Sequence, residues 1–233
     1  MPNYLGDYRD LLRGFLSAGY RTIFFDELRG DEPQLILRHD VDFDCGLAND
    51  LSLLEDGLGV KSTWFFLLRS VSYNPFSARD TGHIRSIAAR GHRIAIHFDP
   101  TFYDDVEAGF AEEKALFEGF FGMPLRIASV HRPNEFLKRS NVPLAGVEHT
   151  YQDKYFKDVA YISDSQGRFG HGHPFESEAW KARRPIHLLI HPIWWTIPEA
   201  TSSVDLLDRF LERRIEQFRQ HMADNCIPYR SLG

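Results

Sequence analysis

Apolar and polar positions change period along this chain, and the changes mark out its elements. Over Tyr4–Ala18 the apolar residues Leu5, Tyr8, Leu11, Leu12 and Phe15 recur at three- and four-residue intervals, and Gly19 follows them. That spacing is one face of a helix, with glycine as its stop. Thr22–Phe25 reads as a short strand, and the compact apolar run Leu35–Arg38 as another. Gly46–Leu58 has helical spacing and closes at Gly59. Lys61–Leu68 is β-branched and aromatic, hence a strand. His83–Arg90 is predicted helical with Gly91 as its stop, and His92–His97 alternates as a strand does. A helix over Asp105–Phe121 ends at Gly122 and Pro124. Strands follow at Leu125–Val130, Val159–Ile162 and Ile186–Ile190. Ser203–Ala223 is a long amphipathic helix with Ser202 or Ser203 as cap and Asp205 in its first turn. Between these, Asn134–Gln152 reads as loop with a short strand.

Strands that alternate with helices call for a parallel sheet with crossover helices. No glycine-rich phosphate loop accompanies them, which leaves a nucleotide-binding sheet without its signature. The reading is therefore α/β: a distorted parallel (β/α) barrel, seven-stranded, formed by residues 1–233 as a single domain. A chain of 233 residues, 43% hydrophobic, buries enough core to stand without a disulfide or structural metal. Any metal is then expected to serve function. The formal charge of −6 gives no basic stripe for nucleic acid. The two cysteines, Cys45 and Cys226, lie far apart and in no ligand spacing. The first residues lack the basic start and apolar core of a signal peptide, and no run is long enough to insert in a membrane. A cytoplasmic protein is the expectation. The oligomeric state leaves no mark in these patterns.

Active sites of such barrels gather where the strands end. The strand ends here carry Arg38-His39-Asp40-Val41-Asp42-Phe43-Asp44, His97-Phe98-Asp99, His131-Arg132-Pro133, Ser163-Asp164-Ser165 and His191-Pro192. Carboxylate with imidazole is a catalytic zinc ligand set, commonly with an open position for water. The metal lowers the pKa of that water and polarises a carbonyl. A second carboxylate can take the proton, a separate histidine can protonate a leaving amine, and an arginine can hold the base carboxylate ionised. Asp40, Asp42, His97, Arg132 and His191 fill these roles by residue type.

The order Asp40-Val41-Asp42, Gly91-His92-Arg93-Ile94-Ala95-Ile96-His97, Arg132-Pro133, Asp164 and Leu189-Ile190-His191-Pro192 resembles the polysaccharide deacetylase family, carbohydrate esterase family four. The similarity spans roughly residues 34–192. The resemblance implies a distorted barrel that binds one divalent metal ion, zinc being the expected one. It implies Asp40 as base, Asp42 and His97 as metal ligands, Arg132 orienting the base, His191 as acid and Asp164 supporting His191. The family's second histidine, four residues after the first, is Thr101 here, so a third ligand comes from His131 or from Asp99. Asp40 and Asp42 are separated by Val41 where the family more commonly has an adjacent pair. A register with Asp42 as base and Asp44 as ligand stays open. The implied substrate is an N-acetylated amino sugar or a polysaccharide precursor.

Two other readings compete. One is a degenerate member of the fold that binds carbohydrate or metal without turnover, motivated by Thr101. The other is a hydrolase of non-sugar amides, of deformylase or ureide type. Further residues have plain alternatives. His171 and His173 are read as part of a loop over the site, His92 as structural and Cys45 as a packed thiol. Trp194, Trp195, Tyr103 and Phe136 are read equally as a sugar-stacking rim or as core.

Overall fold

A computed structural model describes residues 2–133 and 140–230. The strands are β1 (Arg21–Ile23), β2 (Gln34–Val41), β3 (Thr63–Phe66), β4 (Arg93–Phe98), β5 (Ile127–Val130), β6 (Glu148–His149), β7 (Ala160–Ser163) and β8 (Ile186–Ile190). The longer helices are α1 (Tyr8–Ser17), α2 (Cys45–Gly57), α3 (Ala78–Ala89) and α4 (Val106–Phe121). Short helices α5 (Asp153–Phe156), α6 (Glu178–Lys181) and α7 (Ile193–Thr196) precede the long α8 (Ser203–Asn225) and the single turn α9 (Ile227–Arg230).

Seven strands form one curled parallel sheet in the order β6-β5-β4-β3-β2-β8-β7, and β1 pairs only with the start of β2. The edges β6 and β7 share no ladder among the described residues, so the (β/α) barrel is incomplete. Every residue of β2 is buried, in the manner of a central parallel strand covered on both faces. Its two faces differ in chemistry. His39 meets Glu55 of α2 and Tyr8 of α1, so odd positions look outward to the helices. Alternation then turns Arg38 and Asp40 into the barrel.

Short polar side chains start the helices where orphan N–H groups need acceptors. Asp7 caps α1, Asp44 caps α2, Ser77 caps α3, Asp105 caps α4 and Ser202 caps α8. The predicted helix Tyr4–Ala18 therefore starts later, after Asp7, and the predicted helix His83–Arg90 starts earlier, after Ser77. β2 outruns the predicted Leu35–Arg38 because its last residues are polar yet buried. β1 stops at Ile23, where a 3-10 turn over Phe25–Glu27 begins. No helix among the described residues is long and apolar enough to cross a membrane.

Candidate metal centre and active site

Parallel strands end at the same side of the sheet, so residues far apart in sequence arrive together there. Asp42 directly follows β2, His97 lies one residue before the end of β4, and His131 directly follows β5. His97 Nε2 lies 3.4 Å from Asp42 Oδ1 and 3.0 Å from His131 Nδ1, and His131 Nδ1 is 3.6 Å from the same Asp42 oxygen. The three donor atoms lie within 4.8 Å of one another. Asp42 Oδ1 is buried and accepts no hydrogen bond. A buried carboxylate oxygen that lacks a well-formed hydrogen bond and faces two imidazole nitrogens is costly unless a cation joins them. One carboxylate and two imidazoles are a zinc donor set with a fourth position left open. The residues therefore fit a divalent ion.

The surroundings fix the donors. In the tautomer that presents Nε2 to the cluster, His97 Nδ1–H donates to Ser129 Oγ at 2.6 Å. Burial lowers the pKa of His131, and neighbouring His97 adds to the effect, which keeps its ring neutral and able to ligate. Arg132 Nε donates to His131 Nε2 at 2.9 Å. A ring that gives its Nδ1 lone pair to an ion carries its proton on Nε2, so this contact would have to open for His131 to ligate one. Asp44 lies outside the cluster: it accepts from Gly46 and Leu47 N–H and meets Arg214 at 3.2 Å. Asp99 is likewise taken, by Thr101 N–H and hydroxyl.

Asp40 lies beside the cluster, its Oδ2 3.7 Å from His97 Nε2. Burial alone would raise its pKa. Arg38 more than offsets this, donating from Nε and Nη2 to the two carboxylate oxygens at 2.8 and 2.6 Å, and holds Asp40 well below the usual carboxylate range. Here the structure corrects the sequence reading. The guanidinium on Asp40 belongs to Arg38, not to Arg132, which is exposed, in a left-handed conformation with φ 48°, and turned to His131. The signal was present: arginine two residues before aspartate on one strand shares its face. Arg38 lies between the rings of Phe65 and Tyr151, at 5.7 and 5.5 Å.

On the far side of the cluster, His191 Nε2 is 4.0 Å from Asp42 Oδ2. Its other nitrogen meets Asp164 Oδ1 at 2.6 Å. Asp164 also accepts from the His191 backbone N–H and from the Trp195 indole at 2.7 Å. Burial pulls the His191 pKa down, but the charge and hydrogen bond of Asp164 beside it carry the ring up to about 9. Trp195 was weighed as a stacking or core residue; it instead fixes the carboxylate that orients His191. Ser129 and Trp195 carry no sequence mark that separates them from packing residues.

The remaining candidates fall elsewhere. His92 is buried and meets Ser62 and Glu55. His173 caps a short turn and packs on Phe175, while His171 is exposed. Cys45 is buried, and burial pushes its thiol pKa up. Trp194 is buried, and Tyr103 stacks on Phe98 and donates to Glu113. Phe136 lies outside the described residues. A cavity of about 270 Å³ opens beside the cluster, lined by Asp42, Phe43, Arg69, Phe102, His131 and Arg132 among others.

No family model matches the chain, and no curated protein matches it. Among solved structures it is similar to the carbohydrate esterase family 4 domain of a multidomain xylanase from the hindgut metagenome of Trinervitermes trinervoides. That match has 12% identity over 80% of this chain and 85% of that one, with a TM-score of 0.45. It is also similar to the peptidoglycan deacetylase PdaC from Bacillus subtilis, with 12% identity over 80% and 96% of the two chains and a TM-score of 0.44. A third is BA3943, a pseudoenzyme of the same esterase family from Bacillus anthracis, with 13% identity over 81% and 63% and a TM-score of 0.43. These neighbours are polysaccharide deacetylases and related proteins of carbohydrate esterase family 4, at low sequence identity.

Proposed function

We propose that this chain is a divergent relative of the polysaccharide deacetylases, a metal-dependent hydrolase that removes an N-acyl group, acetyl first, from an amino sugar or polysaccharide precursor. One observation carries the reading. Asp42, His97 and His131 converge on one point, flanked by an ionised carboxylate at Asp40 and an acid-capable imidazole at His191. The competing degenerate reading rested on Thr101. His131, at a neighbouring strand end, lies where a third donor could come from, which favours the active reading.

Asp42, His97 and His131 would hold a divalent ion, zinc being the best match to the donors. When bound, such an ion polarises a carbonyl and lowers the pKa of water. Asp40 is ionised and dry, and accepts the proton of the attacking water. Arg38 keeps it in that state and fixes both oxygens. His191, held by Asp164, gives a proton to the leaving nitrogen. The roles divide because the environments drive the two pKa values apart: arginine pulls one carboxylate down, and aspartate pulls one imidazole up. The cavity lies at the small end of ligand pockets, a size for one sugar ring rather than a long segment of chain.

The test is turnover of N-acetylated amino sugars by protein stripped of metal and then reloaded. Activity that disappears with the metal and returns with zinc is expected. Activity that is indifferent to chelation, or reloaded protein inert on sugars but active on small amides, would overturn the metal role or the substrate class respectively.

A further inference from the structure

Helix α8 touches the body of the protein along one side only. Leu206 is buried, Phe210 packs at 6.0 Å from Phe43, and Arg214 reaches Asp44 and the Ser72 carbonyl. Another face carries large apolar side chains in solvent: Val204 at 67% exposure, Leu207 36%, Leu211 57%, Ile215 44%, Phe218 60% and Met222 44%. At 100° per residue these six fall within an arc of about 80°, a narrow seam along nearly the full helix. Such a seam is the pattern of a helix that packs on another helix, and a helix this exposed gains most of its stability from packing.

We propose that this seam is a two-fold interface with a second copy of the chain, its α8 running antiparallel. Two features of the seam select this occupant. The first is self-complementarity about Arg213. Val204 and Met222 each lie nine residues from it, Leu211 and Ile215 each two, and Leu207 and Phe218 six and five. An antiparallel two-fold pairing therefore sets apolar residue on apolar residue throughout, as an isologous contact requires. The second is charge. Asp208 and Arg219 lie on the same flank of the seam, within about 20° of each other around the axis. They stand five and six residues from Arg213, on opposite sides. The pairing brings Asp208 of one copy to Arg219 of the other, twice. Asp208 has no partner among the described residues, and Arg219 has only a loose exposed contact with Glu216 at 3.7 Å. A membrane surface fits less well. The polar side of α8 mixes Asp205, Glu212 and Glu216 with Arg209 and Arg213, whereas a helix lying on anionic lipid presents mainly cations.

The test is the mass in solution, by sedimentation velocity across the micromolar range, with helicity checked by circular dichroism. Wild type is expected at twice the 27.0 kDa chain mass. Ile215→Glu, at the centre of the seam, is expected to be monomeric with unchanged helicity of the body. Asp208→Arg and Arg219→Asp singly are each expected to weaken association about tenfold. Combined, they are expected to restore it. The two positions lie about 16 Å apart along one helix, so only contact between copies explains the rescue. A wild-type chain monomeric throughout, a dimer indifferent to these changes, or α8-dependent binding to lipid vesicles without self-association would overturn the proposal.

Discussion

At the scale of the residue, the site rests on pairings that share strand faces or neighbouring strand ends. Arg38 and Asp40 form a buried ion pair with two parallel hydrogen bonds. Removing one partner of such a pair strands the other charge and costs about 3–5 kcal/mol, whereas replacing both by apolar groups can be nearly neutral. Arg38→Met is therefore expected to destabilise the fold by that order in urea unfolding, with much of it regained in Arg38→Met/Asp40→Leu. Arg132 is exposed, and Arg132→Ala should stay within about 0.5 kcal/mol. Equal losses for Arg38 and Arg132 would contradict the assignment. His191 makes a different prediction, on rate. An amide needs its leaving nitrogen protonated, an ester less so. His191→Ala should lose about a hundredfold on an amide substrate and clearly less on the matching ester, with metal content unchanged. Equal losses on both substrates would move His191 to another role. A third residue-scale prediction concerns pH. His187 is fully buried, its Nδ1–H donates to the Tyr155 carbonyl at 2.8 Å, and its Nε2 has no partner. Burial, with Arg38 nearby, takes its pKa down to about 3. The unfolded chain then binds a proton below about pH 6.5 that the folded chain refuses until about pH 3. Its contribution to stability is complete above pH 6.5 and declines as pH falls toward 3. His187→Phe should flatten that part of the urea-midpoint curve; an unchanged slope would refute the linkage.

Element by element, periodicity located the structure and capping set its limits. Helices α1 to α4 and the seven strands read from pattern all exist, because hydrophobic spacing reflects burial. Ends shifted where a short polar residue captured the backbone, as Ser77 does ahead of α3 and Asp7 ahead of α1. β2 was cut short in the reading for a physical reason. Its last residues, His39, Asp40 and Val41, include two polar groups that the fold buries: His39 pairs with Glu55 of α2, and Asp40 with Arg38 of the same strand. Of the site, the identities Asp40, Asp42, His97, His131, Asp164 and His191 were legible because each ends or follows an apolar strand. In the structure Asp42, His97 and His131 converge, Asp40 and His191 lie beside them and Asp164 meets His191; Arg38 carries a same-face signal in the sequence, whereas Ser129 and Trp195 emerge only with the fold. One element makes a further prediction. In α4, Gly109 faces the Tyr103 ring so closely that a Cβ would collide with ring atoms. Tyr103 cannot yield freely, being stacked on Phe98 and bonded to Glu113. Alanine gains about 1 kcal/mol in helix propensity over glycine, but overpacking costs about 1–3 kcal/mol. Gly109→Ala is thus expected to lower the melting temperature, and a rise would show that the loop carrying Tyr103 is soft.

For the whole molecule, the central claim is that an incomplete parallel barrel delivers three metal donors, a base and an acid, with the carboxylate that holds the acid, to one end from five strand ends. The sheet order makes this natural: β4 and β5 are neighbours, and so are β2, β8 and β7. His97 and His131 therefore arrive from one side and Asp164 with His191 from the other, with Asp40 and Asp42 between them. The measurement that bears on this most directly is a crystal of zinc-loaded protein with anomalous scattering recorded across the zinc edge. One peak is expected, bonded to an Asp42 carboxylate oxygen, His97 Nε2 and His131 Nδ1 at the roughly 2.0–2.2 Å of zinc–oxygen and zinc–nitrogen bonds, with Arg132 displaced from His131. A peak whose nearest side chains include neither Asp42 nor His97, or no ordered peak in protein that stoichiometrically retains zinc, would contradict the account.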